Sequence, residues 1–240
     1  MKANLTSRVA LDGRVALVTG ASRGVGAAVA RAFADGGARV GLLSRAGDDL
    51  GLPGAIGVAC DVADRAQVFA AVQQVVDAFG SMDLAVANAG VGMYGPFLEL
   101  EPEHLEAMID VNLKGTLYTA AATLPHLIES GAGDFVSLAS VAGLRGFPGE
   151  AVYNASKFGQ LGFTRALDHE LRERGVRATN ICPGGIATDF ATGTGRDEGS
   201  TEGMMTPEDV ADTVVYAVTR PRSWRVMTMS YRPMIEASWG

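Results

Sequence analysis

Short apolar segments alternate along the chain with longer segments whose apolar residues recur at the spacing of an α-helix. The apolar segments are rich in Val, Ala and Leu and almost uninterrupted, as in strands that are covered on both faces. The predicted strands are Arg14–Thr19, Arg39–Ser44, Ile56–Cys60, Leu84–Ala87, Asp134–Ala139, Val176–Ile181 and Arg225–Ser230. The predicted helices between them are Gly24–Asp35, Arg65–Phe79, Pro102–Ser130, Tyr153–Arg174 and Pro207–Arg220. This alternation predicts an α/β protein with one doubly wound parallel sheet of about seven strands and helices on both faces.

One segment, Thr188–Met205, departs from this alternation. Its composition of glycine, Ser, Thr and charged residues buries little apolar surface, so we expect it to be flexible and to act as a lid. The glycines in it are Gly193, Gly195, Gly199 and Gly203. No other stretch has the composition of a linker, and no internal repeat is visible. The sequence therefore predicts a single domain over residues 1–240.

Charge and cysteine content narrow the class of protein. The 240 residues carry a formal net charge of −7, which argues against a nucleic acid or an anionic membrane as partner. Cys60 and Cys182 have neither the spacing of metal ligands nor that of a disulfide framework. Met1–Ser7 lacks an apolar signal core, and no run approaches the ~20 apolar residues that span a bilayer. We expect a soluble cytoplasmic protein without a metal site.

A glycine-rich turn follows the first predicted strand. It reads Thr19-Gly20-Ala21-Ser22-Arg23-Gly24-Val25-Gly26 and leads directly into a helix. The Gly-Lys-Ser/Thr ending of an NTPase phosphate loop is missing from it. Positions without side chains let the backbone approach a pyrophosphate, which the helix N-terminus attracts. A glycine triplet alone also fits a simple tight turn, but its place between strand and helix favours a Rossmann-type dinucleotide site.

The spacing of this turn resembles the Thr-Gly-x-x-x-Gly-x-Gly signature of the short-chain dehydrogenase/reductase family. Further motifs of that family follow in order over nearly the whole chain. They are Cys60-Asp61-Val62, Asn88-Ala89-Gly90, Val111-Asn112, Ser140, Tyr153-Asn154-Ala155-Ser156-Lys157, Pro183-Gly184-Gly185 and Thr188. Ala87 departs from the pattern, because the family usually has Asn there. The resemblance implies an oxidoreductase that uses a nicotinamide cofactor.

The resemblance and the glycine turn together give the residues expected to bind the cofactor. They are Gly20, Ser22, Arg23, Gly24, Val25, Gly26, Ser44, Arg45, Asp61, Val62, Asn88, Ala89, Gly90, Tyr153, Lys157, Pro183, Gly184, Ile186 and Thr188.

Tyr153 and Lys157 are the strongest candidates for acid–base chemistry. At positions i and i+4 they lie on one face of a helix, where an ammonium group favours the phenolate of a nearby tyrosine. In isolation such a pair also fits an ordinary surface contact. The resemblance implies that Tyr153 protonates a carbonyl oxygen, that Ser140 hydrogen-bonds this oxygen and that Lys157 holds the nicotinamide ribose. It also implies that Asn112 interrupts its helix and holds a water connected to Lys157.

The end of the second predicted strand bears on the choice of cofactor. An acidic residue there would bind the adenine ribose and repel a 2′-phosphate. The chain instead has Ser44 followed by Arg45, with Arg23 in the glycine turn, and guanidinium groups suit a phosphate. This predicts NADP(H), with NAD(H) as the alternative. The other interpretation of Arg45 is a solvated loop residue.

The substrate pocket should be bounded by Val91–Tyr94, Val141–Arg145, Glu150, Gly185-Ile186 and the lid. We expect a small carbonyl compound or secondary alcohol, such as a 3-hydroxy acid, a 3-oxoacyl thioester or a related ketone. An epimerase or dehydratase on the same fold, and a non-catalytic NADP(H)-binding sensor, remain alternatives. The resemblance further implies a homo-oligomer, a tetramer or dimer, in which Pro102–Ser130 and Tyr153–Arg174 pair across two-fold axes.

Overall fold

Seven parallel strands form one sheet in the order β3-β2-β1-β4-β5-β6-β7. The computed structural model describes residues 11–192 and 201–236. The strands are β1 Val15–Thr19, β2 Arg39–Ser44, β3 Ala55–Ala59, β4 Leu84–Ala87, β5 Asp134–Leu138, β6 Arg177–Pro183 and β7 Thr228–Tyr231. The predicted parallel sheet is confirmed, with strand ends that differ from the prediction by up to three residues.

Helices cover both faces of the sheet, as predicted. They are α1 Gly24–Asp35, α2 Arg65–Phe79, α3 Pro102–Ala107, α4 Gly115–Glu129, α5 Ala151–Leu171, α6 Asp189–Thr192 and α7 Pro207–Val218. On one face α1 and α7 pack their apolar residues, such as Phe33 and Val214, against the strands. On the other face α2, α4 and α5 do so, with Val72, Leu127 and Leu167. The two cores account for the nearly continuous apolarity of the central strands.

The predicted helix Pro102–Ser130 is not uniform. Between α3 and α4 the turns widen into a π-helix, Met108–Lys114, which contains Asn112. The side-chain amide of Asn112 donates to the Val91 carbonyl at 2.9 Å, and its oxygen accepts from the Val91 N–H at 2.8 Å. The wider turn therefore accompanies a fixed contact with the loop after β4, which apolar periodicity does not reveal.

The helix of Tyr153 begins two residues earlier than predicted, at Ala151, and ends at Leu171. A single 3₁₀ turn, Arg172–Arg174, follows it. Gly175, with φ +77°, then ends the helical segment in a conformation that favours glycine.

The strand order creates a crevice between β1 and β4. These two strands are neighbours, with Leu17 opposite Ala85, but the chain runs from β1 toward β2 and from β4 toward β5. The loops at the carboxyl ends of β1 and β4 therefore diverge. Ligands of open α/β sheets bind at such a point.

The opposite edge of the sheet carries a buried cluster of charges around Asp134. Its carboxylate, 4% exposed, accepts from Arg14 at 3.0 Å, from Arg177 at 2.6 Å and from Arg222 at 3.1 Å. The same guanidinium groups donate to main-chain carbonyls, including that of Val218 at the end of α7. This cluster fixes the segment between α7 and β7 to the sheet.

No helix within residues 11–192 and 201–236 is both long enough and apolar enough to cross a membrane. Over the same residues, no three or more His, Cys, Asp or Glu side chains are grouped so that they could hold a metal ion.

Candidate active site

A cavity of about 690 Å³ opens at the carboxyl ends of the strands. All nineteen residues predicted to bind the cofactor line it, together with Ser140. Asn112 lies behind its wall and is fully buried. The structure thus brings to one cavity residues that lie as far apart in the chain as Gly20 and Thr188.

The glycine turn forms a cradle that side chains would fill. Gly20 has φ +65°, and a Cβ there would come within 2.8 Å of the Cα of Ala89. A Cβ on Gly26 would meet the Gly20 carbonyl oxygen at 2.2 Å, so this glycine allows α1 to pack closely on the turn. Gly24 has φ +55° and faces Thr188 across the cavity. Gly20 and Gly24 therefore adopt conformations that favour glycine, and Gly26 allows a close approach of the backbone.

The N-terminus of α1 is suited to an anion. Among the residues that the structure describes, no side chain caps it, and its first turn contains no acidic residue. Its first N–H groups and the positive end of the helix dipole are therefore left to face the cavity. This arrangement fits the pyrophosphate of a dinucleotide.

Asn88 holds the crevice together. Its side-chain amide donates to the carbonyl oxygens of Thr19, at 2.9 Å, and Gly20, at 3.2 Å. In return the Thr19 hydroxyl accepts from the N–H groups of Asn88 and Ala89. Its side chain thus shapes the cofactor cavity by tying the end of β4 to the end of β1.

The residues predicted to select the cofactor lie at the end of β2. The Ser44 hydroxyl is buried and accepts from the Gly47 N–H at 3.1 Å, while Arg45 is exposed. Arg23 is 73% exposed and forms an ion pair with Asp189 at 3.6 Å, a partner that the sequence did not indicate. Both guanidinium groups therefore stand at the rim, on flexible side chains that can turn toward a phosphate.

Tyr153 and Lys157 lie side by side in the cavity wall, on the first turns of α5. They are 7% and 4% exposed, and the Lys157 ammonium lies 5.6 Å from the centroid of the Tyr153 ring. The ammonium donates to the carbonyl oxygen of Leu138, the last residue of β5, at 3.0 Å. Ser140 follows β5, and its hydroxyl accepts from the Ala142 N–H at 3.1 Å, which leaves the hydroxyl proton available for a ligand.

Burial lowers the pKa of the Lys157 ammonium from its ordinary 10.5 to about 8. Burial also raises the pKa of the nearby Cys182 thiol to about 11, so this cysteine is neutral near pH 7. The pKa of Lys157 therefore lies closer to neutral pH than that of an exposed lysine.

Asn112 contacts the residues next to Lys157 from the buried side of the cavity wall. Besides binding Val91, its amide donates to the Ser156 hydroxyl at 3.0 Å, so it joins the loop after β4 to α5. A Cβ on Gly90 would lie 3.3 Å from Asn112 Oδ1 and 3.8 Å from Lys157 Nζ, so the three residues are in close proximity.

Aromatic rings surround Tyr153 on the substrate side. The Tyr94 ring meets it edge-on at 5.3 Å between centroids, and the Phe190 ring lies at 6.1 Å. Phe147 and the buried Glu150 complete this side of the cavity. Arg145, predicted as part of the boundary, is exposed, with its guanidinium 5.9 Å from the centroid of the Phe147 ring.

The C-terminal segment contributes a wall that sequence analysis missed. Glu236 accepts from the Gly185 N–H at 2.7 Å, and Arg232 Nε donates to the other carboxylate oxygen at 2.6 Å. Both residues line the cavity. A Cβ on Gly184 would lie 2.8 Å from that carboxylate, which explains the glycine. The i, i+4 spacing of Arg232 and Glu236 indicated a pair, but nothing in the sequence placed it here.

The predicted lid is described only at its two ends. Thr188–Thr192 and residues 201–205 belong to the structure, whereas Gly193, Gly195 and Gly199 lie outside the described residues. The base is anchored, because the Ala187 N–H donates to the Met205 carbonyl at 2.8 Å and the Met205 N–H to the Gly185 carbonyl at 3.2 Å. Flexibility and closure of the segment remain predictions.

The sheet, the glycine cradle and the cavity define a dinucleotide-binding protein of the Rossmann type. A model of the short chain dehydrogenase family matches residues 14–199. The chain belongs to this family, as the resemblance of its motifs implied.

Relatives and solved structures agree with this assignment. An uncharacterized oxidoreductase of Staphylococcus epidermidis is 35% identical over 228 residues, 92% of this chain and 97% of the relative. The alcohol dehydrogenase of the archaeon Thermococcus sibiricus, solved with 5-hydroxy-NADP, superposes with a TM-score of 0.85 at 29% identity, covering 95% of this chain and 99% of that one. The 3-ketoacyl-(acyl-carrier-protein) reductase of Brucella melitensis, solved with NADH, superposes with a TM-score of 0.84 at 30% identity. The match covers 92% of this chain and 98% of that one. These neighbours support a nicotinamide cofactor.

Proposed function

We propose that the protein is an NADP(H)-dependent oxidoreductase that interconverts a carbonyl group and a secondary alcohol in a small molecule. The observation that carries this proposal is the position of Tyr153, Lys157 and Ser140 in one wall of the cofactor-sized cavity. We further propose that residues 1–240 act as one domain with a lid at about 188–205, in a homo-oligomer in the cytoplasm.

The residues of the cavity fit the cofactor along its length. The uncapped N-terminus of α1 would hold the pyrophosphate, while Asp61 and Val62 would border the adenine. Tyr153 and Lys157 would hold the nicotinamide ribose, with Ile186 and Thr188 beside the ring. Arg45, which follows the neutral Ser44, and Arg23 in the glycine turn line the same cavity and support the preference for a 2′-phosphate.

The chain's own part in the reaction is proton transfer and polarisation. When bound, the nicotinamide supplies or accepts the hydride. In the reducing direction the Tyr153 hydroxyl gives its proton to the substrate oxygen, and Ser140 donates a hydrogen bond to the same oxygen. The Lys157 ammonium stabilises the phenolate that Tyr153 becomes and can return a proton to it. The aromatic side chains around Tyr153 exclude water from this transfer.

The substrate side favours a compact carbonyl compound with apolar character. Tyr94, Phe147 and Phe190 offer apolar surface, and Glu150 offers a single buried acidic group. A 3-hydroxy acid, a 3-oxoacyl thioester and a related ketone are the classes we propose to test first. The names of the two solved neighbours, an alcohol dehydrogenase and a ketoacyl reductase, cover related reactions.

The first prediction concerns Tyr153. Tyr153→Phe keeps the ring but removes the proton donor, so we expect turnover to fall at least ~100-fold while NADPH still binds. Binding is followed by NADPH fluorescence, and turnover by NADPH oxidation with benzil, an acetoacetate ester and a 3-oxoacyl thioester. Tyr216→Phe, on the exposed surface of α7, is the matched control and should behave as the wild type.

Substantial activity in Tyr153→Phe would remove this residue from the acid–base role. NADPH binding by the wild type without turnover of any compound would favour the sensor. Conversion of a substrate without net oxidation of NADPH would favour the epimerase or dehydratase.

The second prediction concerns cofactor choice. Ser44→Asp places a carboxylate where the 2′-phosphate would lie, and Arg45→Ala removes a guanidinium. Each should lower the affinity for NADPH relative to NADH, by roughly ten- to a hundredfold for one well-made phosphate contact. Arg39→Ala, at the far end of β2, is the control. Unchanged NADPH/NADH ratios in both variants would show that neither position reads the phosphate.

A further inference from the structure

The large cavity contains a positive charge that the proposed cofactor does not use. Among the residues that the structure describes, the Lys and Arg side chains that line it are Arg23, Arg45, Lys157 and Arg232. In the proposed function Arg23 and Arg45 bind the 2′-phosphate, and Lys157 binds the nicotinamide ribose. Arg232, which follows β7, has no part in this scheme. Its guanidinium group is therefore the candidate for contact with the substrate.

Arg232 forms part of a site that already holds a carboxylate. One oxygen of Glu236 accepts from the Gly185 N–H at 2.7 Å, and the other accepts from Arg232 Nε at 2.6 Å. Both hydrogen bonds are short, and both involve a charged group, so they belong to the stronger kind. A main-chain N–H beside a guanidinium group is thus arranged here to bind the two oxygens of one carboxylate.

Two consecutive glycines leave the space that this carboxylate fills. A Cβ on Gly184 would lie 2.8 Å from one oxygen of Glu236, and a Cβ on Gly185 would lie 2.7 Å from the other. Neither glycine has a positive φ, so backbone conformation does not explain their presence. The loop after β6 therefore has glycine at both positions because a carboxylate approaches its main chain closely.

The site lies on the substrate side of the cavity. Gly185 belongs to the predicted boundary of the substrate pocket, and a Cβ on it would lie 3.6 Å from the sulfur of Met204, at the base of the predicted lid. Met204 lines the cavity together with Arg232 and Glu236. An acidic group on a substrate in this part of the cavity would face the same N–H and guanidinium that now bind Glu236.

The Glu236 side chain can leave the site without a change in the sheet. It is 26% exposed and follows two residues with little packing, Met234 at 97% exposed and Ile235 at 59%. Rotation about its side-chain bonds would carry the carboxylate into water, which would hydrate it. A ligand carboxylate would replace both hydrogen bonds, so the net cost of the exchange is small compared with the strength of either bond.

We propose that Glu236 occupies the place of a substrate carboxylate, which displaces it and binds to Arg232 and the Gly185 N–H. This inference rests on the proposed function and deepens it, because it selects oxo and hydroxy acids among the substrate classes named above. Glu236 competes with the substrate for Arg232 and so lowers the affinity for acids. The rings of Tyr94 and Phe190 offer apolar surface to the carbon chain between the carboxylate and the carbonyl group.

Glu236→Gln tests the exchange, because the amide keeps the size of the side chain but lacks the competing charge. The substrates are acetoacetate, 4-oxopentanoate and 5-oxohexanoate with NADPH, each compared with its methyl ester. The series varies the distance between the carbonyl group and the carboxylate. For at least one chain length we expect the acid/ester ratio of kcat/KM to rise about tenfold in Glu236→Gln, the effect of about one charge-assisted hydrogen bond.

Two further variants make the result specific to Arg232. The double variant Arg232→Gln with Glu236→Gln replaces the ion pair by neutral amides, and its acid/ester ratio should lie about tenfold below that of Glu236→Gln. Glu173→Gln, which breaks the exposed pair with Arg172, is the matched control and should keep the wild-type ratio. Equal ratios in the wild type and Glu236→Gln would make the pair a structural tie and overturn the proposal. A double variant with the ratio of Glu236→Gln would overturn it as well.

Calorimetry gives a readout that is independent of turnover. Butanoate, pentanoate and hexanoate carry no ketone, so they are titrated into the complex of the protein with NADP⁺, with the corresponding amides as uncharged probes. We expect Glu236→Gln to bind at least one of these acids about tenfold more tightly than the wild type does, and the amides with the same affinity. Equal affinities of the two proteins for all three acids would overturn the proposal, whatever the enzyme reduces.

The two proposals fail separately. Full activity of Tyr153→Phe refutes the proposed function even if Glu236→Gln binds acids more tightly. An active wild type with a dead Tyr153→Phe, together with acid affinities that do not respond to Glu236→Gln, refutes only the carboxylate site.

Discussion

At the scale of single residues, the clearest conflict between function and stability is at Lys157. Its ammonium is buried, and its pKa falls from the ordinary 10.5 to about 8 because burial disfavours the charge. An unfolded chain therefore binds the proton more tightly than the folded one between these two values. Wild-type stability rises with pH across that window, and the full penalty is present below about pH 8.

The third prediction follows from this penalty. Lys157→Met removes the buried charge and should raise the free energy of unfolding near pH 7 by about 3 kcal/mol, the equivalent of the pKa difference. The gain should shrink as pH rises from about 8 toward 10.5. Urea unfolding of the cofactor-free protein at several pH values measures it, and turnover should be lost at all of them.

Lys114→Met is the control for this experiment, because Lys114 is half-exposed and pairs with Asp110 at 2.7 Å. It should produce no stabilisation. A Lys157→Met variant that is less stable than the wild type at pH 7 would show that the hydrogen bond to Leu138 outweighs the desolvation of the charge.

At the scale of elements, the central strands were predictable because they are buried on both faces. β2 and β4 have the predicted bounds, since Val, Leu and Ala fill most of their buried positions. The π-helix at Met108–Lys114 was not predictable from periodicity. It depends on the contact of Asn112 with Val91, a loop residue on another element, and apolar spacing carries no record of such a contact.

The residues of the candidate site also fall into those that the sequence could predict and those that it could not. Gly20, Gly26, Tyr153 and Lys157 could be proposed from the sequence because their local spacing matches motifs of the family that the chain resembles. The Glu236 carboxylate was missed because its partner, the Gly185 N–H, lies 51 residues away and is a main-chain group. The burial of three polar side chains under α5 was missed as well. Gln160, Thr164 and Asp168 look like a solvated helix face until the sheet is placed against them.

The fourth prediction concerns the Asp134 cluster, which joins β5 to the segment after α7. Asp134→Asn leaves Arg177, 7% exposed, without its buried counter-charge. We expect a loss of about 3–5 kcal/mol in the free energy of unfolding, the usual result of breaking a buried ion pair. Denaturant unfolding measures it. Glu173→Gln, which breaks the exposed pair with Arg172, should cost less than about 1 kcal/mol. A loss of similar size in both variants would contradict this account.

At the scale of the whole molecule, the surface of α5 bears on assembly. Phe158 is 46% exposed one turn from the exposed Gly162, so an apolar ring and a flat surface lie together on the helix. This is the helix that the family resemblance predicts to pair with a second copy. Burial of Phe158 in such a contact would remove an exposed aromatic ring from water.

The fifth prediction tests that pairing. Light scattering of the wild type at micromolar concentration should give a multiple of the 24.9 kDa chain mass. Phe158→Glu should shift the mass downward, because a charge would be buried in the contact. Phe69→Glu, on the surface of α2, should leave the mass unchanged. A monomer mass for the wild type would contradict the expected oligomer.

The strand order that creates the cofactor crevice also has a consequence for synthesis on the ribosome. β1 lies in the interior of the sheet, and one of its two partners, β4, begins only at Leu84. During translation β2 can pair with β1 early. The other edge of β1 has no strand to pair with until Leu84–Ala87 have left the exit tunnel. A bare apolar edge attracts other unfinished chains. Nascent chains that stop before Leu84 should therefore be held by chaperones, and those that extend beyond β4 should be released.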